Sequence, residues 1–316
     1  MQYIIIFILL LGTELAYFKI ANRYNIIDKP NERSSHTKIT LRGGGIIFYI
    51  ATLILFIYSH FSSPYFFTGL TLISAISFLD DLKPQSPKLR LSIHFISIIL
   101  IFIQWNLFYQ NWYIWILALI LCIGIINAFN FMDGINGMTG GYSFIVILSL
   151  IYVNTKVVSF TDNNFLIIIL LAIIVFNIFN FRKKAKCFAG DVGSVSIAFI
   201  LIYMIGKLII LTGDFSYIIL LAIYGVDSIL TIIHRIILKE NIFEPHRKHL
   251  YQIMANELHI PHLVVSTIYG IVQLLISLGF LYFINYKWVY IIISISVLST
   301  VYIILQKKYF HLHFSK

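Results

Sequence analysis

The chain has 316 residues, of which 59% are hydrophobic, 16% aromatic and 11% charged, with a mean hydropathy of +0.90. Soluble globular chains are about 45–50% apolar and about 25% charged, so a soluble enzyme, a disordered tail and a secreted disulfide scaffold are all excluded. The net charge of +10 suits nucleic acid in a soluble protein, but in a membrane chain its distribution along the loops decides its meaning.

A membrane helix needs about 20 apolar residues. Eleven stretches are predicted to be spans, at about 2–20, 43–61, 64–80, 90–108, 112–131, 141–155, 164–181, 191–211, 215–237, 262–285 and 287–305. Only helices satisfy the backbone of such runs in hydrocarbon. The expectation is an all-α polytopic membrane protein, with 1–316 as one integral-membrane unit. The first stretch has no basic leader and no small-residue cleavage site, and reads as a retained helix. Cys122 and Cys187 carry no disulfide or metal signature.

The loops alternate between two sides. Segments 21–42, 81–89, 132–140, 182–190, 238–261 and 306–316, with the adjoining helix ends, hold twenty of the 23 Lys and Arg residues; the others are Lys156, Lys207 and Lys287. The positive-inside rule makes that side cytoplasmic, with the N-terminus outside and the C-terminus inside. The basic excess is therefore topology, and no nucleic-acid partner is expected. Loops of the opposite side are short and carry little beyond Asp162 and Asp214. Transporters place polar groups at mid-depth. Here they gather at one surface, which favours chemistry at the inner membrane face over transport of an anionic lipid or sugar, or a scaffold role.

Five clusters could carry that chemistry. Asn31-Glu32-Arg33-Ser34-Ser35-His36 with Arg42-Gly43-Gly44-Gly45 offers a basic, hydroxyl-rich approach and a hinge. Phe78-Leu79-Asp80-Asp81 ends the third span; adjacent carboxylates at a membrane boundary call for a cation or a proton, or are simply solvated by headgroup water. Asn127, Asn130 and Asp133, spaced i, i+3, i+6, fall along one helix face and lead into Gly134, Asn136 and Gly137. They suit a ligand, while polar glue between helices is the plainer reading of Asn127. Phe188-Ala189-Gly190-Asp191-Val192-Gly193-Ser194 opens the eighth span. Free N–H groups there suit phosphate oxygens, and the glycines leave room for a pyrophosphate around Asp191; an Asp cap is the alternative. His246-Arg247-Lys248-His249 fits anion capture but lacks a zinc-site partner pair. Asp227, Thr231 and Arg235, at i, i+4, i+8 in the ninth span, line the site or pair with one another. Together these groups form an inventory for phosphoryl transfer between anionic partners, one lipid-borne and one a soluble activated compound.

In these stretches, and in their order, the chain resembles the polyprenyl-phosphate N-acetylhexosamine-1-phosphate transferases. That family includes the bacterial enzymes that begin O-antigen, capsule and enterobacterial common antigen, and the muramoyl-pentapeptide transferase of peptidoglycan synthesis. The resemblance implies transfer of an N-acetylated sugar-1-phosphate from a UDP-sugar to undecaprenyl phosphate, with UMP released, at the cytoplasmic face of the bacterial inner membrane. It implies Mg²⁺, with Mn²⁺ as a substitute, and allows a homodimer. By the same resemblance Asp191 and Asp81 are metal ligands; Asp80, Asp81, Asp133 and His249 are catalytic; Phe188 stacks on uracil; Arg247, His246, Ser35, His36, Asn127, Asn130 and Asn136 bind substrate. Two departures stand out. Asn136 replaces a second Asp found in many relatives, and Tyr251 and Gln252 stand where the N-acetylglucosamine enzymes carry further histidines. The triple histidine of the peptidoglycan enzyme is also missing, which turns the reading toward the O-antigen branch and its 6-deoxy-N-acetylhexosamines. The lipid phosphate, with a second pKa of about 6, can attack directly; Asp80 as base or nucleophile is the alternative.

Overall fold

The computed structural model describes residues 1–30, 35, 39–242, 244 and 246–313. All eleven apolar stretches are helical. They are α1 (Gln2–Arg23), α2 (Ile46–Tyr58), α3 (Pro64–Leu82), α4 (Pro87–Gln104), α5 (Trp112–Met132), α6 (Met138–Tyr152), α7 (Asn163–Asn180), α8 (Gly190–Thr212), α9 (Ala222–Ile237), α11 (His262–Tyr282) and α12 (Lys287–Tyr309), with a one-turn α10 (Leu250–Gln252) before α11. Ten helical stretches among the described residues are long and apolar enough to cross a membrane. The fold is all-α and polytopic, as expected.

Helix ends follow local chemistry. Pro64 and Pro87 open α3 and α4, where a missing N–H costs nothing. Ser86 and Asp162 cap α4 and α7 through the amides of Leu89 and Asn164. The second span differs from expectation. It covers 13 residues rather than 43–61, about 20 Å at 1.5 Å per residue. Residues 43–45 are withheld from the helix because their backbone is used elsewhere. The amide of Gly44 donates to Phe188 O and that of Gly45 to Ala189 O. A short antiparallel pair, Ile27–Asp28 with Thr40–Leu41, leads into this strap, and Leu41 bridges to Cys187.

The uniformly apolar α8 is the central helix; from Val192 to Ile205 every residue is buried. It packs against α2, α3 and α5. A helix apolar on all sides belongs in such a core. Small polar groups join it to its neighbours, as where the Ser74 and Ser196 hydroxyls meet at 2.8 Å. In contrast, α12 buries only Tyr302 and Gln306. Two ends of the bundle result. One holds Ser63 with Tyr203, Lys207 with Thr161 and Lys287 with Asp214. The other gathers the loops that carry the five clusters.

The strap and α8 touch backbone to backbone. A Cβ on Gly45 would overlap Gly193 Cα, and one on Gly193 would lie 2.6 Å from Gly45 Cα. Gly193 therefore serves helix packing rather than the pyrophosphate expected for it. Overpacking a tight contact costs about 1–3 kcal/mol, and more where main chain must move. Gly45→Val is expected to lower the melting temperature of the detergent-purified protein markedly. Gly124→Val, where a Cβ meets nothing within 4 Å, should leave it unchanged.

Candidate active site

The acidic pair at the end of α3 divides its work. Asp81 is buried, its carboxylate taken by Arg42 Nε at 2.6 Å and by the amides of Asp191 and Val192 at 2.9 and 3.0 Å. The N-terminus of α8 is thus capped by Asp81, and is not an open phosphate cradle as its sequence suggested. Gly190 makes this possible. It has φ +71, and a Cβ there would lie 2.5 Å from Asp81 Oδ2. Asp80 accepts from the Gln85 amide and from Arg90 Nη1, both at 2.6 Å. The same Arg90 nitrogen lies 3.7 Å from Asp191 Oδ2, and Arg42 Nη2 lies 3.3 Å from Asp191 Oδ1. Two arginines, one from the strap and one from the first turn of α4, therefore knit three carboxylates. Burial pulls the Arg42 guanidinium down, but Asp81, Asp191 and Asp28 outweigh it and hold it above its ordinary value.

Beside these charges lies a cavity of about 300 Å³. Arg42 and Asp191 form one wall, and Asn130, Asp133, Gly134 and Asn136 another. Phe188 and Ser194 come from the α8 approach, Ser35 from the strap, and Gln252 and His262 from the last long loop. Asp133 accepts from Thr139 Oγ1 at 2.6 Å. Burial pushes its carboxyl up to about 8, with repulsion from Asp191 and Asp81 adding to it and the Thr139 bond opposing. Asn136 donates through Nδ2 to Arg182 O at 2.8 Å, and Asn130 to Ser194 Oγ at 3.5 Å. Phe188 is pinned by its amide to Leu41 O and by its carbonyl to Gly44.

Of the residues singled out from sequence, Ser35, Asn130, Asp133, Asn136, Phe188 and Asp191 line one cavity, with Asp80 and Asp81 joined to it through arginine. Others do not line it. Asn127 is exposed on α5 and is not part of the cavity wall. Arg247 pairs with Glu257 at 3.2 Å. His249 is 2% exposed and places Nδ1 3.1 Å from Asp227 Oδ1. His246 leans on Phe131 and His249 at ring distances of 5.9 and 5.0 Å. Burial, then His249, Arg235 and Lys248, lowers it to about 3, so it is neutral near pH 7. Of the helical trio, Thr231 pairs with Asp227 at 3.1 Å. Arg235 turns away to Glu240 and to the carbonyls of Ile242 and Glu244. His36 lies outside the described residues.

Sequence reasoning passed over Arg90, Asp28, Asn180 and His262. Arg90 had a signal, as the one arginine in the first turn of the helix that follows Asp80. Asn180 had none: its amide donates to Cys187 O and its oxygen accepts from Gly137 N, a contact set by tertiary packing. It also missed Glu14, a carboxylate in α1 that is fully buried against Cys187.

Residues 63–209 match the profile of glycosyl transferase family 4. The chain is 31% identical over 262 residues to the phospho-N-acetylmuramoyl-pentapeptide-transferase of Thermotoga neapolitana, covering 74% of this chain and 82% of that one. The chain belongs to glycosyl transferase family 4. It is a membrane phosphotransferase of the polyprenyl-phosphate sugar-1-phosphate transferase group. Further relatives agree. A Thermotoga maritima undecaprenyl-phosphate alpha-N-acetylglucosaminyl 1-phosphate transferase is 24% identical over 243 residues, 75% of this chain and 76% of its own. A Bacillus subtilis protein named "Probable undecaprenyl-phosphate N-acetylglucosaminyl 1-phosphate transferase" is 27% identical over 260 residues, 74% of this chain and 70% of its own.

Two outcomes follow for this family 4 transferase. Arg42→Ala leaves Asp81 buried without its cation and should cost about 3 kcal/mol of stability, read as a fall in denaturation midpoint; Arg42→Lys should recover part of it. For Asp133, the folded value is raised from 3.8 to about 8, so the folded state holds this proton more tightly than the unfolded one. Its contribution is full at low pH and is lost as pH rises through about 8. Melting temperature measured in EDTA should therefore fall between pH 5 and 8, and Asp133→Asn should flatten that slope.

Proposed function

We propose that this enzyme transfers an N-acetylated sugar-1-phosphate from a UDP-sugar to undecaprenyl phosphate at the cytoplasmic face of a bacterial inner membrane, beginning a cell-envelope polysaccharide. The reading is carried by one observation: Arg42, Asn130, Asp133, Phe188 and Asp191, from distant parts of the chain, meet around one polar cavity at a single end of a membrane bundle. The relatives' names give the acceptor and the reaction class. The twenty-to-three split of basic residues puts this end inside, with the N-terminus outside.

Among the described residues, no three His, Cys, Asp or Glu side chains form a metal site by themselves. Mg²⁺ does not require one, because it leans on one or two carboxylates plus substrate phosphates. Asp191, a hard oxygen donor whose arginine contacts are long, fits that pattern. Asp80 and Asp81 fit it less well, since both oxygens of each already accept bonds. When bound, Mg²⁺ supplies positive charge to the diphosphate.

The protein's own groups do the rest. Arg42 and Arg90 offset phosphate charge and hold the carboxylates apart. Phe188 offers a ring to uracil, and Asn136, with Nδ2 spent on Arg182 O, keeps Oδ1 for a uracil N–H. Asp133 is largely protonated near neutrality, which suits it to donate a hydrogen bond to a substrate oxygen rather than to act as a base. A base is not needed. The lipid phosphate is already largely a dianion; its oxygen forms the new bond to the β-phosphorus, the bond between that phosphorus and the bridging oxygen breaks, and UMP leaves with the electron pair.

A second reading is the muramoyl-pentapeptide donor, favoured by the 31% identity to the Thermotoga neapolitana enzyme. Purified protein is to be incubated with undecaprenyl phosphate, Mg²⁺ and a panel of labelled UDP-sugars, including UDP-N-acetylglucosamine, 6-deoxy-N-acetylhexosamines and the muramoyl-pentapeptide nucleotide. One donor should give labelled lipid and equimolar UMP, and Asp191→Asn should abolish both while the protein still inserts in the membrane. No product from any donor, or full turnover by Asp191→Asn, would refute the reading.

A further inference from the structure

Among the described residues Asp227 is the carboxylate with the most hydrogen-bond partners, and it lies on a membrane helix outside the cavity. It is 3% exposed. Oδ1 meets His249 Nδ1 at 3.1 Å, the Leu250 amide at 3.2 Å and Thr231 Oγ1 at 3.1 Å; Oδ2 accepts from the Tyr269 hydroxyl at 2.5 Å. Ionisable groups at membrane depth are costly and mark function by default. Each partner of Asp227 can donate, and a carboxylate can only accept, so the proton between Asp227 and His249 belongs to Nδ1. That leaves His249 Nε2 as the free nitrogen. It is buried and has no hydrogen-bond partner, an arrangement a native core avoids unless something else meets the group.

The surroundings point the same way. The His249 ring lies 6.0 Å from Phe131, two residues before Asp133. The next residue but one, Tyr251, donates to Phe131 O at 2.7 Å, and its hydroxyl sits where a side chain on the cavity residue Gly134 would be. The far side of Asp227 is braced by α12. Gln306 Nε2 lies 3.1 Å from the Tyr302 hydroxyl, which lies 2.7 Å from Thr231 Oγ1; Gln306 also donates to Lys248 O at 3.0 Å. A chain of donors thus runs from α12, the least buried span among the described residues, into the acid. Tyr302 and Gln306 are the buried residues of α12, one set against Thr231 of α9 and the other against the backbone of Lys248.

We propose that Asp227 is a positioning residue: it fixes the His249 ring, with the proton on Nδ1, against the cavity wall at Phe131 and Gly134, and α12 holds that pair in register through Tyr302 and Gln306. The proposal rests on the transferase reading above.

The test is a mutant cycle on the full chain in lipid nanodiscs, assayed with undecaprenyl phosphate and UDP-N-acetylglucosamine. It is joined by limited trypsin digestion of the 239–248 loop without substrate. Asp227→Asn should lower kcat by about 10²-fold, the scale of a misplaced group close to the chemistry, with little change in KM. His249→Ala should cost about as much, and the double variant no more than His249→Ala alone, because residues acting as a unit are not additive. Tyr302→Phe with Gln306→Leu should give a smaller loss of kcat, and both it and Asp227→Asn should speed cleavage of the loop. Additive losses, an unchanged kcat in Asp227→Asn, or a rise in KM alone would overturn the proposal. A wild type that transfers nothing from any donor of the panel above counts against the transferase reading, while unaccelerated cleavage in Asp227→Asn overturns the brace whatever the activity. If Asp227→Asn fails to fold, Tyr269→Phe, which removes one neutral donor from Oδ2, carries the same expectations in weaker form.

Discussion

A carboxylate is removed from water at the end of α3, and three donors compensate it: Arg42 and the first two amides of α8. Desolvating such a charge costs several kcal/mol unless geometry and hydrogen bonds repay it. Meeting that condition fixes much else. The strap must bring Arg42 to α3, so residues 43–45 leave the helical register and pair with 188–189. The strap must also lie against α8, so Gly45 meets Gly193. Position 190 must have no side chain, because the Asp81 carboxylate occupies that space. α1 supports the arrangement from outside, with the Tyr17 hydroxyl donating to Arg42 O at 2.6 Å.

Charge at the site is accordingly shared out. Asp81 is spent on structure, Asp133 is shielded by burial and held by Thr139, and Asp80 and Asp191 face one another across Arg90. Acids whose surroundings differ this much can take different roles in one reaction. Beyond the cavity, the basic loop is organised rather than merely solvated. Arg235 gathers the carbonyls of residues 242 and 244, Lys248 bonds Glu240, and Asp227 holds His249. The basic residues of this loop thereby also shape the wall next to the site.

Much of this was legible in the residues alone. Eleven apolar runs became eleven helices because hydrocarbon leaves the backbone no other solution, and the loops that carry the clusters share one end because helices crossing in alternation return every second loop to it. What misled was local analogy. The Gly-Asp-Val-Gly opening of α8 looks like a phosphate cradle, yet its donors and its empty space are filled by Asp81 and by Gly45, from residues more than a hundred positions away. The i, i+3, i+6 spacing of Asn127, Asn130 and Asp133 implied a common face, but at 3.6 residues per turn each step of three drifts by about 60°, and the helix ends at Met132. Asn127 falls outside while Asn130 and Asp133 fall inside.

By itself the sequence determined the solvent of the protein, the number and type of its helices, the end at which its chemistry lies and the family it resembles. Those properties follow from composition, periodicity and the identity of short stretches, all local quantities. Only the tertiary structure decided which acid is structural and which faces the cavity, why α2 is short, that His249 is tied to Asp227, and that α12 leans on that pair. These depend on which groups meet after desolvation, and a partner at 3 Å can come from any part of the chain.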